Sequence, residues 1–342
     1  MSNETELVVA AANGMTNVVE MLLANEDVDV NETTRSNDPV KDGVTPLLVA
    51  TIQGHEDVAE LLLANKGVDV NKGNGKGVTP LIMAAYKGHG QMVDKLLRRE
   101  DILVNQARDT GATALITAAD QGHENVVMSL LKRHDIEVNR VGNHGFTALF
   151  LAAFAGNEKV VELLLKREGI LVNQATDTGY TPLMGAAEEG HEKVVELLLR
   201  KAGIQINLAR YSGATALFAA AMKGYDKVVE ILLKKNGILV NQSTHSGITP
   251  LLVAVTLKHE KVVHLLLKKD GIQANQANVG GLTPIVVAAQ KRYGKIVEML
   301  LRKDDVRASG WNGWRPHRYA PYPYHKPDIR FGVGFTGRIR KF

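Results

Sequence analysis

The sequence predicts an all-α solenoid of stacked helix–turn–helix units, with a finger protruding between successive units. Three observations predict it. A threonine recurs every 34 residues, at Thr45, Thr79, Thr113, Thr147, Thr181, Thr215, Thr249 and Thr283. Each has a Gly two residues before it, a Pro or Ala just after it, and then an apolar run. A second Val- and Leu-rich run follows and closes on an Asn such as Asn105, Asn173 or Asn241. A fixed period of roughly 20–50 residues marks a repeat architecture, in which no unit can bury its apolar face alone. Such a stack presents a long surface and has no obligatory pocket.

In chain order, residues 7–31 match two helices without a preceding arm, as a terminal capping repeat would. The loop over residues 31–43 is six residues longer than its equivalents and carries Glu32, Thr33, Arg35, Ser36, Asp38 and Pro39, which reads as a solvated loop rather than an enlarged binding finger. Residues 179–207 typify the full unit. Thr181 followed by Pro182 marks a helix start, because a Thr side chain caps orphan amides and Pro at the first helical position forfeits no hydrogen bond. Leu183, Met184, Ala186 and Ala187 give an apolar face, and Gly190 stops the helix in a left-handed conformation. His191 and Glu192 open a second helix, in which Val194, Val195, Leu197, Leu198 and Leu199 follow helical periodicity; Gly203 is expected to end it. Residues 204–211, with Gly213 beyond, read as an extended arm and turn. Nine such units, with helix axes about 8–10 Å apart, would extend on the order of 80 Å.

These residues resemble a known family. Gly77-Val78-Thr79-Pro80-Leu81, Gly179-Tyr180-Thr181-Pro182-Leu183 and Gly247-Ile248-Thr249-Pro250-Leu251 are similar to the opening of an ankyrin repeat. Gly54-His55-Glu56, Gly122-His123-Glu124 and Gly190-His191-Glu192 resemble its second-helix start, and Val70-Asn71 and Val104-Asn105 its close. The resemblance covers about residues 5–305. Two departures stand out. The unit is 34 residues against the family's usual ~33, with the addition near Gly169 and Ile170. The His that commonly follows Thr-Pro-Leu is replaced by Leu48, Ile82, Ile116, Phe150, Met184, Phe218, Leu252 and Val286, which substitutes core packing for a polar tie.

The resemblance implies a solenoid with loop or β-hairpin fingers, acting as a scaffold or adaptor with no catalysis of its own. It implies that a partner protein docks on the finger tips and on the inner, concave face of the first helices. Finger positions one, three and four before each Thr hold Asp109, His144, Phe146, Asp177, Tyr180, Tyr211, His245 and Ile248. Helix positions four, seven and eight after it hold Met83, Tyr86, Lys87, Asp120, Gln121, Leu151, Phe154, Glu188, Glu189, Met222 and Lys223. These are the most varied positions in otherwise uniform units, and uniform packing does not explain that variation. The central candidates are Met83, Tyr86, Asp109, Asp120, Phe146, Phe154, Asp177, Tyr180, Glu188, Glu189, Tyr211 and Met222. Aromatic anchors with acidic surroundings favour a partner segment bearing Lys or Arg beside apolar residues.

Toward the other end the helix-stopping Gly becomes Lys258 and then Arg292, and Leu300 and Leu301 need cover beyond the last unit. The period breaks at Ser309, so the solenoid is assigned to residues 1–308 and a tail to residues 309–342. From Val306 onward there are eight Lys or Arg against the single acid Asp328, which leaves 33 bases and 36 acids in the preceding 305 residues. The tail is therefore strongly basic and the repeats mildly acidic. It holds both Trp residues of the chain and several Pro, a composition that reads as an extended, largely unfolded segment. Trp311, Trp314, Arg315, Arg318, Tyr319 and Lys326 offer the alternative function, binding single-stranded nucleic acid by phosphate contact and base stacking.

Catalysis finds no support. There is no cysteine, which removes disulfides, thiolate metal sites and a Cys nucleophile. The equivalent His55, His89, His123 and His191 sit a repeat apart, beyond the ~4 Å that two ligands of one metal allow, and read as helix-start residues bonding between repeats. No phosphate-cradling loop or nucleophile elbow is present. No cofactor is expected. No apolar run approaches the ~20 residues that span a bilayer, and the acidic start lacks the basic region of a secretory signal. The expectation is a monomeric cytoplasmic protein, with nuclear residence left open by the basic tail.

Overall fold

The computed structural model describes residues 6–308. Nine helix pairs run through them. The first helices are α1 (Glu6–Ala12), α3 (Pro46–Gln53), α5 (Pro80–Lys87), α7 (Ala114–Gln121), α9 (Ala148–Ala155), α11 (Pro182–Glu189), α13 (Ala216–Lys223), α15 (Pro250–Thr256) and α17 (Pro284–Gln290). The second helices are α2 (Thr16–Leu23), α4 (Glu56–Ala64), α6 (Gly90–Leu97), α8 (Glu124–Leu131), α10 (Glu158–Leu165), α12 (Glu192–Arg200), α14 (Asp226–Leu233), α16 (Glu260–Lys268) and α18 (Gly294–Leu301); a short α19 (Asp304–Ala308) follows. First helices pack on first helices and second on second, so the stack has two layers. The core lies between them. Leu62, Leu96, Leu130, Leu164, Leu198, Leu232, Leu266 and Leu300 occupy one position in eight units, and all are 0% exposed.

Local chemistry sets each boundary. From α3 to α17, the threonine oxygen before each first helix accepts the N–H three residues on, at 3.1–3.4 Å. Six of these helices end on a left-handed Gly. The glycine also clears space for the next unit: a Cβ on Gly156 would lie 2.5 Å from the His191 ring. Lys258 and Arg292 adopt the same conformation without being Gly, at φ 62° and 59°, which costs about 1–2 kcal/mol each. The residues standing where the family carries His do pack the core, from Leu48 at 0% to Phe150 at 3% exposed; Val286, in the last unit, is half-buried.

Three ladders tie unit to unit. His55, His123, His191 and His259 bond through Nε2 to carbonyls of Ala12, Tyr86, Phe154 and Met222 at 2.9–3.1 Å. Seven Asn, such as Asn173, use both ends of the amide: Nδ2 donates to the Gly203 carbonyl at 2.7 Å, and Oδ1 accepts from Gln205 N–H at 2.9 Å. Arg99, Arg167, Lys201, Lys235, Lys269 and Lys303 donate to Leu63, Leu131, Leu165, Leu199, Leu233 and Leu267 carbonyls at the C-terminus of the preceding second helix.

The structure departs from expectation in three places. The typical second helix ends at Arg200, capped by Lys201, and Gly203 (φ 80°) belongs to the turn after it. Fingers take the loop form: Thr176 N–H donates to Tyr180 C=O at 2.9 Å and Gly179 N–H to Thr176 C=O at 2.8 Å. The one strand-type bridge among the described residues joins Ala209 and Thr215. At the far end, α19 closes the stack. Its Val306 is 0% exposed, Leu300 is fully covered, and Asp305 Oδ2 accepts from Asn275 N–H at 3.1 Å. No described helix is long and apolar enough to cross a membrane.

Candidate functional site

Each finger is a tight turn, and from Gly43 to Gly247 its glycine packs against the next finger. A Cβ on Gly145, at φ 77°, would lie 2.7 Å from Asp177 N. Backbone bonds then link finger to finger, among them Asp109 N–H to Lys76 C=O at 3.1 Å, Asn143 N–H to Thr110 C=O at 2.9 Å and Asp177 N–H to His144 C=O at 3.0 Å. His144 reaches this position with a left-handed backbone, φ 61°. The tips therefore form a continuous row beside the first helices, and the side chains on that row are presented in register.

The row four residues after each Thr faces inward. Met83 is 6% exposed, Thr117 6%, Leu151 7% and Ala219 6%. Met83 is corrected accordingly: it is a core residue rather than a surface contact, because the neighbouring units close over that position. The row seven residues after each Thr carries the varied chemistry, with Tyr86, Asp120, Phe154 and Met222 half-buried. Phe146, Phe150 and Phe154 form a ladder with ring centroids 5.4 Å and 6.0 Å apart, and His144 adjoins Phe146 at 6.0 Å. Only Phe150 of the three is fully buried, so the ladder runs from the core to a finger on one side and to the helix surface on the other.

Glu188 is also corrected. It is 9% exposed, and its carboxylate is drawn into a network instead of facing a partner. Lys223 Nζ lies 3.8 Å from Glu188 Oε1. Arg210 stacks over the Tyr180 ring at 4.9 Å, donates from Nη1 to the Tyr180 hydroxyl, and donates from Nε to Ser212 Oγ at 2.8 Å. Burial first, and then the Glu188 charge, push the Tyr180 phenol up to about 12, with Arg210 opposing. Arg108 holds the position of Arg210 three units earlier. It is 8% exposed, burial pulls its guanidinium below the usual value, and the charges of Asp109, Asp120 and Tyr86 oppose that pull.

The expected acidic groove is thus partly neutralised. Asp109 sits 3.7 Å from Lys76, Asp120 lies in the field of Arg108, and Glu188 has Lys223. Asp177 and Glu189 are exposed and belong to no ion pair among the described residues. Tyr211 is 74% exposed at a finger tip. The sequence reading missed Arg108 and Arg210, whose 102-residue separation, three periods, was the available signal. Trp311, Trp314, Arg315, Arg318, Tyr319 and Lys326 lie outside the described residues.

Comparison with known proteins agrees with this architecture. A family model described as ankyrin repeats (3 copies) matches four overlapping segments, residues 7–106, 91–176, 168–244 and 236–310. Among curated proteins none matches the chain.

Proposed function

The chain belongs to the ankyrin-repeat family, and from that premise we propose that it is a scaffold or adaptor holding a partner protein on the face built from its fingers and first helices. Ankyrin repeats are in general protein–protein interaction modules. One observation carries the finer reading. Positions that make the stack are uniform, as in the fully buried leucine row from Leu62 to Leu300, whereas the half-buried row on the first helices reads Tyr86, Asp120, Phe154 and Met222. Half-buried aromatics beside charges match the make-up of interface hot spots.

Asp177 and Glu189 are the groups free to steer a basic partner. Reversing both to Lys is expected to weaken partner capture from a cell extract about tenfold or more, with helicity unchanged. Capture equal to the parent would overturn an acid-steered face. Glu188 is left out of this variant because its carboxylate is buried, and a cation there would test folding instead. The charge asymmetry of the chain favours a second reading, nucleic-acid tethering through residues 309–342. That reading expects capture that vanishes with nuclease, falls steeply with salt and is lost on deleting the tail.

A further inference from the structure

We propose that the cleft between the turns that follow α12 and α14 is a second docking site, taking a partner-protein segment in which an acidic side chain stands next to a leucine- or isoleucine-like one. The inference goes beyond the finger and first-helix face, because none of the residues lining the cleft lies on a first helix or at the finger-tip positions.

The cleft is open, holds about 510 Å³ and is lined by residues 204–208 of one unit and residues 235–237 of the next. Two of its apolar residues break the repeat. Ile206 stands where other units carry Val104, Val172 and Val240, and it is half-buried where those are at most 6% exposed. Leu208, also half-buried, replaces the glutamine that other units place at Gln106, Gln174, Gln242 and Gln276. Stacking requires neither residue, since the neighbouring units stack with Val and Gln. Together with the half-buried Ile204 they leave an apolar strip at the cleft. Leu239 adjoins it: the side chain is 55% exposed, and its N–H donates at 2.9 Å to Oδ1 of Asn207, which lines the cleft.

Charge selects the occupant. No acid lines the cleft, and none occurs in residues 197–225 or 231–259. Lys235 lines it; its Nζ donates to the Leu199 carbonyl at 3.0 Å and belongs to no ion pair among the described residues. An ammonium has three donors, so two remain for a ligand. In earlier units an Asp two residues on neutralises the equivalent base: Arg99 pairs with Asp101 at 2.9 Å and Arg133 with Asp135 at 3.0 Å. After Lys201 and Lys235 that place is Gly203 and Gly237. The residue between is Ala202 or Asn236, where the flanking units carry Glu168 and Asp270. The last acids of α12 and α14, Glu196 and Glu230, are already paired with Arg200 and Lys234 at 3.3 and 3.0 Å. A carboxylate at the cleft therefore compensates Lys235, and an aliphatic neighbour covers Ile206 and Leu208. A partner cation is repelled there, and a wholly apolar segment leaves the ammonium unpaired.

The test titrates acetyl-Leu-Glu-Leu-amide into the full chain and follows backbone amide NMR shifts. Saturable shifts centred on residues 204–208 and 235–239 are expected. Lys235→Gln is expected to weaken binding about threefold or more, and Lys235→Arg to restore it, since Arg99, Arg133 and Arg167 hold the equivalent place. Leu208→Gln, which puts back the residue of other units, is expected to weaken binding at least about threefold through lost apolar contact. The proposal is overturned by no saturable shift, by shifts centred elsewhere, by equal affinity in Lys235→Gln or Leu208→Gln, or by equal or tighter binding of acetyl-Leu-Gln-Leu-amide or acetyl-Ser-Glu-Ser-amide. Sedimentation with phosphatidylcholine–phosphatidylserine vesicles forms a further arm: vesicle binding that both variants lose, with no peptide shift, assigns the cleft to a lipid surface and overturns the proposal too. The cleft shares no residue with Asp177 and Glu189, so failure here and failure of the capture experiment are distinct results.

Discussion

The Tyr180 phenol, pushed up to about 12 by burial and by Glu188, gives the face a measurable pH signature. In the unfolded chain an ordinary tyrosine, of pKa about 10, loses its proton first while the folded one keeps it. The folded state therefore holds more protons between pH 10 and about 12, and stability falls as pH rises through that window. Thermal melts across the window should decline less steeply in Tyr180→Phe; an identical slope would place the effect in other tyrosines. Asn173 illustrates the ladder residues. Its two inter-unit hydrogen bonds are worth about 0.5–1.5 kcal/mol each, so Asn173→Ala should cost about 1–3 kcal/mol in urea unfolding. The recurrence of Asn was legible in the sequence. Its double role was not, because which carbonyl and which N–H lie opposite depends on how two units stack.

At the level of elements, helix ends explain most of the boundaries. Thr at the N-cap and Gly in the left-handed C-cap were readable because both act within one turn of chain. Gly203 misled the reading, since a glycine with positive φ serves a turn as well as a helix stop. Lys258 tests the strain argument at the end of α15. Lys258→Gly should relieve the left-handed backbone and raise the melting temperature, less the loss of the Lys258 contact over the Tyr293 ring at 5.2 Å. A lower melting temperature would mean that the contact outweighs the strain. The closing helix α19 was not anticipated at all. Five residues are too few to show periodicity, and its worth lies in Val306 covering the last unit. Val306→Asp should speed hydrogen exchange in α17 and α18 at least about tenfold, since burying a carboxylate there costs well over 1.4 kcal/mol. The central helices should be unaffected, because each unit touches only its neighbours.

Across the full stack, the two-layer arrangement makes stability a sum of units and interfaces. Leu164→Ala, at a site of 0% exposure in the middle unit, should cost about 2–5 kcal/mol locally. Urea unfolding is then expected to separate into two phases as the halves uncouple; one sharp transition at an unchanged midpoint would contradict nearest-neighbour coupling. The period, the helix pairs, their caps and the apolar rows follow from the order of amino acids alone, because chain-local geometry repeated in phase dictates them. The accessible face was legible in the same way, since variation among copies is visible without a structure. Packing in three dimensions was needed to show that Met83 and Glu188 are covered, that Arg108 and Arg210 enter the face, and that Asp177 and Glu189 remain outside the ion pairs. Those outcomes depend on side chains from units 34 residues apart meeting across the stack, and a linear pattern does not specify how far each reaches or which charge it finds.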